Sequence, residues 1–144
     1  LNEENEMCAD KSAERVEKAM EIRHKLGIYN SDGSSKNNWA ELSPAYAESI
    51  IEYCFGMIWN QPLLDLKTRE IIVIVTGATQ NIPQVVEDHT MGALNVGLTR
   101  EEIIEAIVQC SPYIGLPKTN HALKAAKRAF ERMDNKAPAE SEAD

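Results

Sequence analysis

The chain has 144 residues and a formal net charge of −8, enough length to bury a core as one domain. The charge sits at the ends: residues 1–10 hold four acids and no base, residues 134–144 carry a net −3, and residues 11–133 keep about −1. A near-neutral body without a basic stripe excludes a phosphate backbone as partner, so no nucleic acid is expected.

No apolar run reaches the length of a membrane span, so no membrane is expected as partner. The acidic start is unlike the basic start of a signal peptide. Cys8, Cys54 and Cys110 are odd in number and far apart. They suit reduced thiols in a cytoplasmic protein rather than a disulfide framework. Buried small hydrophobes are the expectation, with Cys8 an exposed thiol.

In chain order, residues 1–10 read as a flexible acidic arm. A helix follows over about 9–26, with Val16, Met20, Arg23 and His24 at turn spacing and Gly27 as its stop. Residues 30–38, NSDGSSKNN, form a loop by composition. Such a loop either covers a pocket or simply connects. Ser43 and Pro44 start a helix over 44–56, with Tyr46, Ile50, Tyr53, Cys54 and Met57 on one broad apolar face.

Residues 66–80 carry two conflicting signals. Ile71 to Thr76 is an unbroken run of β-branched residues, which favours a strand. Asp65 as a cap and a polar first turn favour a helix. We read a helix buried on nearly all sides, some of its neighbours supplied by another subunit.

Pro83 opens a helix over 83–95 that Gly97 ends. Thr99 and Glu102 form a capping box for the next helix, which carries Ile103, Ile104, Ile107, Val108 and Tyr113. Pro112 predicts a kink or a termination there. A turn at Gly115-Leu116-Pro117 leads to the last helix, over 117–133, with Ala122, Leu123, Ala126, Ala129 and Phe130 facing inward. Residues 134–144 read as a disordered acidic tail. The fold class is therefore all-α, with about six helices in one domain over 11–133.

Two side chains stand out as candidates for chemistry. His89 titrates near neutral pH without help, and the small residues Gly92 and Ala93 beside it leave room for a ligand. It is either a proton-handling group or a core imidazole bonded to a carbonyl. Glu70 lies in the first turns of a very apolar helix. It is either exposed and favoured by the helix dipole, or half-buried with a raised pKa. Tyr113 and His121 flank the Gly115 turn and are candidate ligand contacts or packing residues. Trp39 and Trp59 are candidate pocket walls or core packing. There is no phosphate loop, no CxxC, no metal-ligand spacing of histidines and no Ser–His–acid arrangement. The chemistry expected is proton transfer with no cofactor and no metal.

Three motifs then carry a resemblance. They are the segment FGMIWNQPLLDLKTREIIVIV from Phe55, with its L-D-x-K-T-R-E, the segment HTMGALNVGLTREEIIE from His89, and Y-x-G-x-P from Tyr113. In this order, over residues 55 to about 130, they resemble the carboxymuconolactone decarboxylase family, part of the alkylhydroperoxidase-like superfamily. The resemblance implies the alkylhydroperoxidase-like helical fold and a ring-like homo-oligomer, a trimer or hexamer.

Thiol-bearing relatives place a His four positions after a CxxC and a Glu twelve before it. Setting that His on His89 puts the Glu on Glu70 and the thiols on Ile82 and Val85. The resemblance thus implies a proton-handling pair kept and a redox pair lost, with His89 and Glu70 catalytic. Family decarboxylases often carry W-x-R-P. This chain has Trp59-Asn60-Gln61-Pro62, which lacks that guanidinium and implies a less charged substrate. The activity implied is lyase chemistry on a small molecule, a carboxylated unsaturated lactone or related enolisable ring, without a cofactor. The alternatives are an isomerase or tautomerase on such a ring, a non-catalytic ligand-binding scaffold, and a thiol peroxidase using Cys54 or Cys110.

Overall fold

A computed structural model describes residues 3–136, with side chains from residue 11 onward. Every regular element among them is helical. The helices group into two compact units, one ending at Leu64 and the other starting at Asp65. The sequence reads as one domain over 11–133. The division falls in the link around Pro62, between Ile58 and Leu66, where no helix forms.

The first unit holds α1 (Glu3–Leu26), α2 (Trp39–Leu42), α3 (Pro44–Ser49) and a π-helix, π1 (Ile50–Ile58). The arm expected over residues 1–10 is helical from Glu3 onward, because α1 extends through the acidic stretch. The side chain of Cys8 lies outside those described. Gly27 closes α1 in a left-handed conformation, φ 63°, and its N–H donates to the Arg23 carbonyl at 3.2 Å. α1 packs on π1 at Gly56, where a Cβ would stand 2.6 Å from the Arg15 carbonyl oxygen. Only glycine permits that approach. The single helix expected over 44–56 widens after Ser49 and runs on to Ile58. Its last bond spans five residues, from Trp59 N–H to the Cys54 carbonyl at 2.9 Å.

The second unit holds α4 (Leu66–Gln80), α5 (Pro83–Asn95), α6 (Arg100–Gln109), α7 (Ser111–Ile114) and α8 (Leu116–Lys136). Its core gathers Ile74, Val86, Leu98, Ile103 and Ile107 with the alanines of α8 at 122, 125 and 126. The strand-favouring run is helix after all. Arg69, Glu70, Ile74, Gly77 and Ala78 form one buried stripe, at the spacing of a single helical face. On the opposite side Ile72 is exposed in the single chain.

The capping box is complete: Glu102 N–H donates to Thr99 Oγ1 at 3.1 Å, and Thr99 N–H to Glu102 Oε2 at 2.8 Å. α6 stops at Gln109, and Tyr113 lies in α7 beyond the break before Pro112. α8 continues through Lys136 into the stretch expected to be a tail, and residues 137–144 lie outside those described. No helix among the described residues is long and apolar enough to cross a membrane.

Candidate active site

Two local signals set the site. The Asp65 carboxylate accepts the Thr68 N–H at 2.8 Å and starts α4, so Glu70 falls on the stripe of Ile74, Gly77 and Ala78 that faces the core. Pro83 starts α5, so His89 falls one turn after Val86 and one turn before Gly92 and Ala93, all three buried. Packing α4 on α5 then closes a gap of nineteen positions: His89 Nδ1 and Glu70 Oε2 share a hydrogen bond at 2.9 Å.

The two partners are not equally enclosed. The Glu70 side chain is 0% exposed and that of His89 is 17% exposed. Burial pushes the Glu70 carboxyl above its ordinary pKa, although the His89 hydrogen bond and charge pull the other way. Glu70 Oε1 and the hydroxyl of Thr90, also fully buried, have no hydrogen-bond partner. Buried oxygens without partners are uncommon and mark a site under electrostatic tension.

Glu87, also on α5, shows the contrast. It too is buried, but it accepts from Arg128 Nε at 2.7 Å and from Arg132 Nη1 at 3.0 Å. Burial opposes its charge, yet the two arginine bonds outweigh burial and hold its carboxyl below the usual range. Glu87 therefore ties α5 to α8 as a fixed anion. Glu70, with one imidazole, is the carboxyl whose charge is open to change.

Gly92 serves another end than the one read from the sequence. A Cβ there would stand 2.9 Å from Glu70 Oε1 and 3.2 Å from its Cδ. The room beside His89 is taken up by Glu70 itself. Thr90 and its lone hydroxyl gave no signal in the sequence, because a threonine within a helix is ordinarily satisfied by its own backbone.

His121 Nδ1 bonds to Asn81 Oδ1 at 2.8 Å, and Asn81 closes α4 in a left-handed conformation. His121 thereby braces the end of α4. Tyr113 is 81% exposed on α7. Trp59 is buried in the first unit, its ring 5.3 Å from Phe55. Trp39, in the same unit, meets Tyr46 edge-on at 6.0 Å. Cys54 and Cys110 are free thiols whose pKa burial raises, Cys54 despite the nearby Arg23 charge. That disfavours the thiolate that peroxidase chemistry requires.

Comparison with known proteins converges on one family. The profile described as "Carboxymuconolactone decarboxylase family" matches residues 44–128. The chain is 25% identical over 120 residues to 4-carboxymuconolactone decarboxylase of Acinetobacter baylyi, covering 83% of this chain and 90% of that one. It is 32% identical over 89 residues to nitrosuccinic acid decarboxylase of Metarhizium robertsii, covering 62% of each. It is also 35% identical over 98 residues to an uncharacterised 15.0 kDa protein of Paracoccus denitrificans, covering 65% of this chain and 72% of that one.

Proposed function

The chain belongs to the carboxymuconolactone decarboxylase family, and from that premise we propose that it is a carboxy-lyase releasing CO2 from a small acid without a cofactor, with His89 as proton donor. The observation that carries this reading is the asymmetry of the pair: a fully buried carboxyl bonded to an imidazole whose side chain is 17% exposed.

Decarboxylation breaks a carbon–carbon bond and leaves the electron pair on the remaining carbon. The pair needs an electron sink, and the carbon then needs a proton. The names of two relatives point to acids of this kind. In a carboxylated unsaturated lactone the sink is the conjugated carbonyl; in a nitrosuccinic acid it is the nitro group.

On this reading Glu70 accepts from His89 Nδ1–H, and exchange with substrate falls to Nε2. A charged Glu70 favours the imidazolium, which delivers its proton to the carbanionic carbon. The neutral imidazole is reprotonated from water after product leaves. Burial disfavours the carboxylate and the His89 bond favours it. The net effect holds the Glu70 carboxyl above its ordinary pKa, a perturbation of the kind found at functional sites. Glu70 acts through His89, since of the two only the imidazole keeps any exposure.

The test is CO2 release from 4-carboxymuconolactone and from nitrosuccinic acid, in the presence of a chelator. The expected result is one CO2 per substrate consumed, at a rate unaffected by chelation. Saturable binding of both acids without CO2 would contradict the proposal and leave a ligand-binding scaffold. An isomer formed without CO2 would favour the isomerase reading instead.

A further inference from the structure

The first unit holds a chemical group that Glu70 and His89 leave unused. Arg23 on α1 is 1% exposed, a depth at which arginine is almost always paired with an anion. Its guanidinium carbon lies 3.9 Å from the centre of the Tyr29 ring and 5.2 Å from that of Phe55. Aromatic rings stabilise the faces of a guanidinium but cannot accept from its edge. Nε and Nη2 are both buried and donate to nothing. These two nitrogens lie on one edge of the group, the edge that grips a carboxylate through two parallel hydrogen bonds. Asp32, an acid whose charge reaches Arg23, directs its Oδ1 to the Ser34 N–H at 2.9 Å instead.

Arg23 also lines a small pocket of about 90 Å³ in the same unit. Ser34, Ser35 and Asn38 form its polar side, and Trp39, Ile50 and Ile51 form an apolar wall. Arg23 is thus one lining residue among several suited to a molecule with a charged head and an apolar body.

We propose that this pocket binds a small organic carboxylate, its head paired side-on with Nε and Nη2 of Arg23 and its body against Trp39, Ile50 and Ile51. Both donors are closed off from solvent, so the acid reaches them when the wall of residues 34–38 gives way. That wall is loop rather than helix, the part of the unit most easily displaced. The apolar wall favours an organic acid over a bare inorganic anion. The proposal concerns the first unit alone and does not depend on the reading of Glu70 and His89.

The test uses the full chain, labelled with ¹⁵N, and follows the Arg23 Nε–H and Trp39 indole resonances. Benzoate is the probe, benzamide its neutral counterpart, and inorganic phosphate the bare anion. Benzoate is expected to shift both resonances saturably, with neither control doing so at the same concentration. Arg23→Lys, which keeps the charge but loses the two-pronged edge, is expected to weaken benzoate binding at least about tenfold. His89→Ala is expected to leave the Arg23 response intact. No shift with benzoate would overturn the proposal, as would an equal shift with benzamide or phosphate. Unchanged affinity in Arg23→Lys would overturn it too; should that variant fail to fold, the wild-type titration decides.

Discussion

His89 Nδ1 stands 2.9 Å from Glu70 Oε2, the carboxyl side chain fully buried and the imidazole partly exposed. The geometry assigns unequal roles. A group that never meets solvent acts on substrate through the one that does. Glu70→Gln keeps the shape and removes the charge. It is expected to lower kcat with little change in KM, because the interaction it removes belongs to the proton-transfer step. Steady-state kinetics on the acid turned over fastest would check this. A rise in KM at unchanged kcat would show that Glu70 serves binding instead.

Stability should register the same carboxyl. Burial raises the Glu70 pKa in the folded chain above its ordinary 4.5. The folded chain therefore keeps this proton at pH values where the unfolded chain has released it. Its contribution to stability is complete below the unfolded value and is lost as pH rises through the folded one. Glutamine carries no such titration. The Tm of Glu70→Gln relative to wild type is thus expected to climb as pH rises above 4.5. A difference that stays flat or falls over that range would contradict the direction of the shift.

Gly92→Ala sets two effects against each other. Alanine in a helix interior is favoured over glycine by about 1 kcal/mol. Here its Cβ would stand 2.9 Å from Glu70 Oε1, and the carboxyl is buried and tied to His89, so it cannot swing away freely. A lower Tm than wild type is expected, with weaker activity. Adding Glu70→Ala should remove the clash and recover part of the Tm. Recovery of none of it would place the strain elsewhere.

Glu87 offers the control. Its loss as Glu87→Gln weakens two charged hydrogen bonds between α5 and α8. The expected cost is near the low end of about 1–3 kcal/mol, since both arginines are half exposed. Activity measured below the new Tm should be unchanged. Thermal melts with parallel assays would separate this structural glutamate from the functional one.

Much of the second unit is legible because its boundaries are local chemistry. Asp65, Pro83, Gly97, Thr99 and Glu102 each satisfy or interrupt a helix end with groups a few residues away. The run from Ile71 to Thr76 reads as helix from the Asp65 cap and the polar first turn before it, and its buried stripe lies at helical spacing. Ile72, on its other side, is exposed in the single chain. The widening at π1 was not read from the sequence, whose apolar face over this stretch was assigned at α-helical spacing. The start of α1 at Glu3 was hidden by its acidic composition.

The pairing of Glu70 with His89 was legible through resemblance, not through periodicity, which cannot register a contact nineteen positions apart. Arg23 was visible as a charge in turn spacing with Val16 and Met20. Its aromatic neighbours Tyr29 and Phe55 lie in a loop and on π1, and only folding brings them together.

The most direct measurement is the rate of CO2 release by His89→Ala, at a pH where wild type is fully active and with folding verified by circular dichroism. Loss of the proton donor is expected to slow turnover by about 10²–10⁴-fold. A folded His89→Ala releasing CO2 within about twofold of the wild-type rate would show that another group supplies the proton.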